Sequence, residues 1–302
     1  MLFTSISHSR LIAYVGLILT PLFWAGNAVV ARAMSGQMPP LSMSFYRWLL
    51  ALLIVLPLGL PAVWRQRRAV RDHWRTIAVL ATFSVGAFNS LLYFAALTTS
   101  ATNIALINTT IPVMIALLAW LMLGERTRPI QAIGIALAIV GIVMVVARGS
   151  WQTLARLDWH PGDLIMVLAV FCWGLFSVLL RRHALPLTSL AFLTVQIAFG
   201  LIAIAPFYLI DLLFLSGGFA VTSGNLLALL YFAVFPGILA YGFWNHAVHE
   251  VGPSKSALFM YLVPIFAAVM ATLFLNEQLS WFHLAGAALI LAGLLLATRA
   301  GR

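Results

Sequence analysis

Arg47 is the seventh residue of an apolar stretch that begins at Leu41. A guanidinium there costs several kilocalories per mole unless it is paired or hydrated, and its planar fork of donors can grip a carboxylate in bidentate fashion. Snorkelling to the nearer interface, or a structural bond to a carbonyl, is the competing account. Tyr46 beside it joins the candidate set. Trp24 and Trp173 stand mid-run, away from the usual interfacial belts, where indoles offer wide apolar walls and one N–H donor each. Asn27 follows Trp24 on nearly the same helical face. Asn89 and Tyr93, spaced i, i+4, and the trio Tyr241, Asn245 and His246 form two Tyr/Asn stripes. Amide oxygens and phenols accept from an ammonium, while amide N–H groups donate to a carboxylate, so the stripes suit a zwitterion. Interhelical hydrogen bonding explains them equally well. His246 offers a route to proton coupling, a role to which an imidazole is suited. With His249 and Glu250 it has no further ligand to complete a metal site, and neither a metal nor any other cofactor is expected.

The elements that carry these groups follow from composition. The chain has 302 residues, 63% of them hydrophobic and 8% charged, with a mean hydropathy of +1.06. A water-facing surface cannot be made from such a chain, so it is an integral membrane protein. Apolar runs mark ten helices: 11–31, 41–60, 76–97, 101–123, 129–146, 161–180, 189–215, 226–246, 254–275 and 281–298. No series of alternating ten-residue segments indicates a barrel. The spans leave no room for a soluble ATPase, and no GxxxxGK[ST] loop is present. The one cysteine, Cys172, reads as a small packing residue.

Orientation follows from the cations. With the N-terminus inside, Arg10, Arg65, Arg67, Arg68, Arg71, Arg75, Arg126, Arg128, Arg181, Arg182, Lys255, Arg299 and Arg302 are cytoplasmic, and Arg32, Arg148 and Arg156 lie opposite. This bias requires an even number of spans and two cytoplasmic termini. It also accounts for the net charge of +10 without a nucleic-acid partner.

The chain repeats itself. A shift of 152 residues sets Pro112 on Pro264, Glu125 on Glu277, Gly134 on Gly286 and Gly141 on Gly293, with 13 identities over positions 95–141. A shift of 149 sets Trp24 on Trp173 and Arg47 on Gln196. The units are 1–150 and 151–302, with five helices each. Five is odd, so the second unit enters the membrane from the opposite face, and inverted repeats can exchange conformations to alternate access to a shared site. Pro112 and Pro264 can kink their helices and gate that site. Glu125 and Glu277 fall at opposite faces. The paired glycines mark close packing of the fifth and tenth helices, with a dimer contact as a further use.

The fingerprints Phe23-Trp24-Ala25-Gly26-Asn27 and Phe171-Cys172-Trp173-Gly174, and the helix ends Leu123-Gly124-Glu125 and Leu275-Asn276-Glu277, resemble the EamA family of the drug/metabolite transporter superfamily over nearly the whole chain. The aromatic-rich polar helices are most similar to its YddG-type branch. That resemblance implies export of aromatic and other neutral amino acids across a bacterial-type inner membrane by a non-enzyme. The expected partners are a small zwitterionic substrate and the lipid bilayer, and the protein is expected as a monomer or a homodimer. Export of purines, sugars or drugs is the alternative. A pump for lipophilic cations needs a buried carboxylate, and none stands mid-span unless Asp211 lies deeper than its place near a helix end.

Overall fold

The computed structural model describes residues 8–34, 36–99, 101–156, 158, 160–275 and 280–299. The Tyr93 side chain, Glu277, Arg302 and the side chains of Arg32 and Arg299 lie outside the described residues. Ten helices are long and apolar enough to cross a membrane. They are α1 (His8–Asn27), α2 (Pro40–Arg65), α3 (Trp74–Leu92), α4 (Asn103–Leu123), α5 (Pro129–Val146), α6 (Pro161–His183), α7 (Ser189–Ser216), α8 (Ser223–Val251), α9 (Pro253–Met270) and α10 (Trp281–Thr298). No strand occurs among the described residues. Backbone polar groups in hydrocarbon must be satisfied within the segment, which leaves helices as the form these runs can take.

The order of spans is the expected one, and the differences are local. Helix α8 runs on to Val251, so Asn245 and His246 sit within it rather than at its end. The basic stretch after α2 winds into a short helix, Arg67–Asp72, with no buried residue. Proline at the first turn starts α2, α5, α6 and α9, where its missing N–H costs nothing. Gly124 ends α4 at φ 72°, a left-handed cap that a side chain would strain.

Irregularities recur at equivalent points of the sequence repeat. A π-helical stretch, Thr82–Phe88, interrupts α3 just before Asn89, and another, Ala233–Leu239, interrupts α8 just before Tyr241. The extra residue per turn rotates the rest of the helix about its axis, and π-bulges are frequent at functional sites. Helix α4 breaks between Asn108 and Ile111, ahead of Pro112. Helix α9 tightens to a 3-10 turn over Phe259–Leu262, ahead of Pro264. Each proline removes the α-helical donor of the carbonyl four residues back, at Asn108 and Met260; the Met260 carbonyl accepts instead from the Val263 N–H of the 3-10 turn.

Helices α5 and α10 pack antiparallel with backbones in contact. A Cβ on Gly134 would stand 2.6 Å from the Gly293 carbonyl oxygen, and one on Gly141 2.6 Å from that of Gly286. Gly141→Val therefore costs roughly 1–3 kcal/mol by overpacking and lowers Tm by about 3–10 °C, as a fluorescence melt in detergent will show. Helices α2 and α7 are antiparallel as well. Near one end, the Tyr208 hydroxyl donates to that of Tyr46 (2.9 Å). At the other, Gln66 Nε2 donates to Thr188 Oγ1 (2.9 Å) and the Thr188 N–H donates to Gln66 Oε1 (2.8 Å).

Among the described residues, the end carrying Arg126, Arg181, Arg182 and Lys255 is closed by side-chain contacts. Beside the Gln66–Thr188 pair, Ser254 Oγ donates to Glu125 Oε2 (2.8 Å), and Arg181 donates to the His249 carbonyl. The second half of α4 and the first turns of α9 pack together here, burying Ile115, Ala119, Ala257 and Leu258. At the opposite end, Asp163 in the first turn of α6 is 1% exposed and accepts from Thr99, from Asn103 Nδ2 (3.0 Å) and from the His160 N–H (2.8 Å). It is a cap and clamp, holding the connection between α3 and α4 against α6.

Candidate functional site

A cavity of about 480 Å³ lies in the half of the molecule away from the basic end, within the usual range of small-molecule sites. Its floor is aromatic. Trp24 and Trp173 meet edge to face with ring centroids 5.3 Å apart, and Tyr241 and Phe88 pack on Trp173 at 5.5 and 5.1 Å. Such contacts hold wide apolar walls rigid at little entropic cost. The rest of the wall includes Asn27 of α1, Asn89 of α3, and Arg47, Asn108, Val146 and Pro264 from the halves of α2, α4, α5 and α9 away from the basic end.

Arg47 stands seven residues beyond Pro40, about 10 Å along the helix. It is 2% exposed. Its Nη1 donates to Asn27 Oδ1 at 3.4 Å, its guanidinium lies 4.9 Å over the Trp48 ring, and its Nε has no partner among the described residues. One long hydrogen bond and a cation–π contact leave most of its five donors unused. Among the described residues it is the one formally charged side chain lining the cavity, so the site is positive. Trp173 Nε1 is likewise buried without a partner, whereas Trp24 Nε1 donates to the Pro236 carbonyl (3.4 Å). Asn89 Nδ2 donates to the Tyr241 hydroxyl (3.4 Å), which donates to the Ser84 carbonyl (3.3 Å).

Of the residues singled out from sequence, the cavity gathers Trp24, Asn27, Arg47, Asn89, Trp173, Tyr241, Pro112 and Pro264. Four lie elsewhere. Gln196 is fully buried in a network: its Nε2 donates to Ser84 Oγ (2.9 Å), and its Oε1 accepts from Asn245 Nδ2 (2.7 Å). That network holds α7 against α3 and α8, so α7 contributes nothing to the cavity wall. Tyr46 pairs with Tyr208 and packs edge-on against Phe219, with centroids 5.5 Å apart. His246 Nε2 lies 3.2 Å from the Ser9 carbonyl, near the sealed end. Asp211 is buried at the end of α7, where it accepts from Ser216 Oγ (2.7 Å). Among the described residues no group of His, Cys, Asp or Glu could hold a metal ion.

Among the wall residues that were not picked out from sequence are Asn108 and Tyr261. The Asn108 Oδ1 and the Tyr261 hydroxyl are both buried without partners among the described residues. The available signal was their place four and three residues before a mid-span proline.

The model of the EamA-like transporter family matches residues 11–147 and again residues 160–299. The chain belongs to that family. It is a multi-pass membrane transporter, not an enzyme. Among curated proteins this EamA-like chain is similar to an uncharacterized transporter of Archaeoglobus fulgidus, 29% identical over 93% of this chain and 96% of the relative. It is 28% identical to another uncharacterized transporter, from Bacillus subtilis, over 94% and 93%. A Salmonella typhimurium protein described as a "Probable amino-acid metabolite efflux pump" is 30% identical over 92% and 91%. A solved crystal structure superposes with a TM-score of 0.80 over 98% of this chain and 99% of the other at 19% identity, a likeness of fold alone.

Proposed function

We propose that this transporter exports neutral amino acids with aromatic or large apolar side chains by alternating access. The observation that carries the reading is Arg47, a buried and underused cation in an aromatic-walled cavity with no acidic side chain among the described residues of its wall. A substrate carboxylate fills those donors in bidentate fashion, and the indoles of Trp24 and Trp173 take the side chain. A neutral purine or sugar leaves the buried guanidinium without a counter-charge, which is costly. The printed description of the Salmonella relative points to the same substrate class.

The two five-helix units, 1–150 and 151–302, are inverted copies. Supporting this, the corresponding helices α2 and α7, and α5 and α10, run antiparallel, and two of the three π stretches, with the helix breaks, recur at equivalent positions. The sealed end carries the basic connections. It is cytoplasmic, in a bacterial-type inner membrane with both termini inside, and the cavity belongs to an outward-open state. Closure requires α4 and α9 to bend at Pro112 and Pro264.

The test is a panel of radiolabelled substrates in proteoliposomes, with and without a pH gradient. Saturable movement of phenylalanine, tryptophan and leucine is expected, with a purine base and a hexose excluded. Trp173→Ala should lower kcat/KM for tryptophan at least about tenfold, in line with the loss of a buried aromatic contact. Movement of purine or hexose without any amino acid overturns the substrate assignment.

A further inference from the structure

Resting on that reading of the cavity, we infer that the substrate's ammonium group is read by Asn108 and Tyr261, at the breaks of the two proline-bearing helices. Residues of the wall carry two kinds of buried, unpartnered polar atom. Arg47 Nε and Trp173 Nε1 are donors, fitted to a carboxylate. Asn108 Oδ1 is an acceptor, and the hydroxyl of Tyr261, 1% exposed, accepts as readily as it donates. A buried polar atom left unpaired costs about 1–3 kcal/mol, so the empty cavity is poised for a ligand that supplies both complements. A zwitterion does; a simple carboxylate or a simple amine supplies one.

The backbone adds to the acceptor side. Pro112 cannot donate to the carbonyl of Asn108, a residue of the cavity wall, whereas the Met260 carbonyl accepts from the Val263 N–H. The helical segment Ala101–Asn108 ends at this point, so the negative end of its dipole faces the same region. Interrupted transmembrane helices bind cations with such freed carbonyls and half-helix C-termini. The three N–H donors of an ammonium can therefore bridge α4 and α9, while Arg47 on α2 holds the carboxylate. Because α4 and α9 are the helices that must bend, the ammonium contact ties occupancy of the site to closure of the gate. Asn108 and Tyr261 thus determine specificity for the α-amino group.

The test is phenylalanine counterflow in proteoliposomes containing the full chain, with 3-phenylpropionate and 2-phenylethylamine as competitors. For the wild type, unlabelled phenylalanine should compete at least about tenfold better than either analogue. In Tyr261→Phe and Asn108→Leu the inhibition constant for phenylalanine should rise about tenfold or more while that for 3-phenylpropionate stays within about twofold. Asn108→Asp should improve inhibition by 2-phenylethylamine about tenfold, a gain that a misfolded or merely loosened variant cannot show. Equal weakening of phenylalanine and 3-phenylpropionate in the two neutral variants, or no gain for the amine in Asn108→Asp, overturns the ammonium site and leaves amino-acid export standing. A wild type that moves no amino acid at all removes both.

Discussion

Arg47→Gln is expected to lower kcat/KM for phenylalanine about 100-fold or more while leaving Tm unchanged or raised. Two charge-assisted hydrogen bonds are worth about 1.5–3 kcal/mol each, and the loss of about 2.7 kcal/mol already amounts to 100-fold. Stability moves the other way because the wild-type guanidinium is 2% exposed yet rests on one 3.4 Å bond to Asn27 and the Trp48 ring. Removing an undercompensated buried charge relieves the fold. Arg47→Lys keeps the charge but not the fork, and should recover only part of the activity. Counterflow and a thermal melt on the same preparations separate the two effects. A structural arginine gives the opposite pattern, a lower Tm with activity falling only in proportion to folded protein.

The second large effect concerns Ala105 and Ala257, which the 152-residue repeat makes equivalent. Ala105 lines the cavity in α4, whereas Ala257 in α9 is fully buried at the sealed end. In a resting outward-open population, Ala105→Cys should react with a membrane-impermeant thiol reagent at least about 100-fold faster than Ala257→Cys. Reagent on the cytoplasmic side should reach Ala257→Cys only when substrate drives turnover, because only the inward-open state uncovers it. The native Cys172 is buried at 5% exposure and gives a low background. Equal, substrate-independent labelling of both positions contradicts alternating access between mirror-related states.

The repeat was legible in sequence because Pro112, Gly134 and Gly141 hold places that backbone chemistry restricts, Glu125 is a charge at the end of an apolar run, and their counterparts recur at one spacing. The cavity lining was legible where a residue's presence in a span is itself costly, as with Arg47 and the central tryptophans. It was not legible where a neutral polar group could be satisfied locally. Gln196 matches Arg47 in the repeat, yet Ser84 and Asn245 meet its amide and take it out of the cavity. Asn108 and Tyr261 went unnoticed for the converse reason, since nothing in an Asn or a Tyr announces that its partner is missing.

By itself the sequence determined that the chain lives in a bilayer, crosses it ten times and is made of two related halves. Hydropathy, the distribution of cations and the spacing of glycine and proline act through solvation and local backbone geometry, which a linear pattern records. Only the tertiary structure decided which polar groups face an open space. That depends on the π stretches before Asn89 and Tyr241, the breaks before Pro112 and Pro264, and the sealing of one end by Glu125, Ser254, Gln66 and Thr188. A turn's rotation sends a side chain to a neighbour or to the cavity, and that rotation is set by packing between helices far apart in the chain.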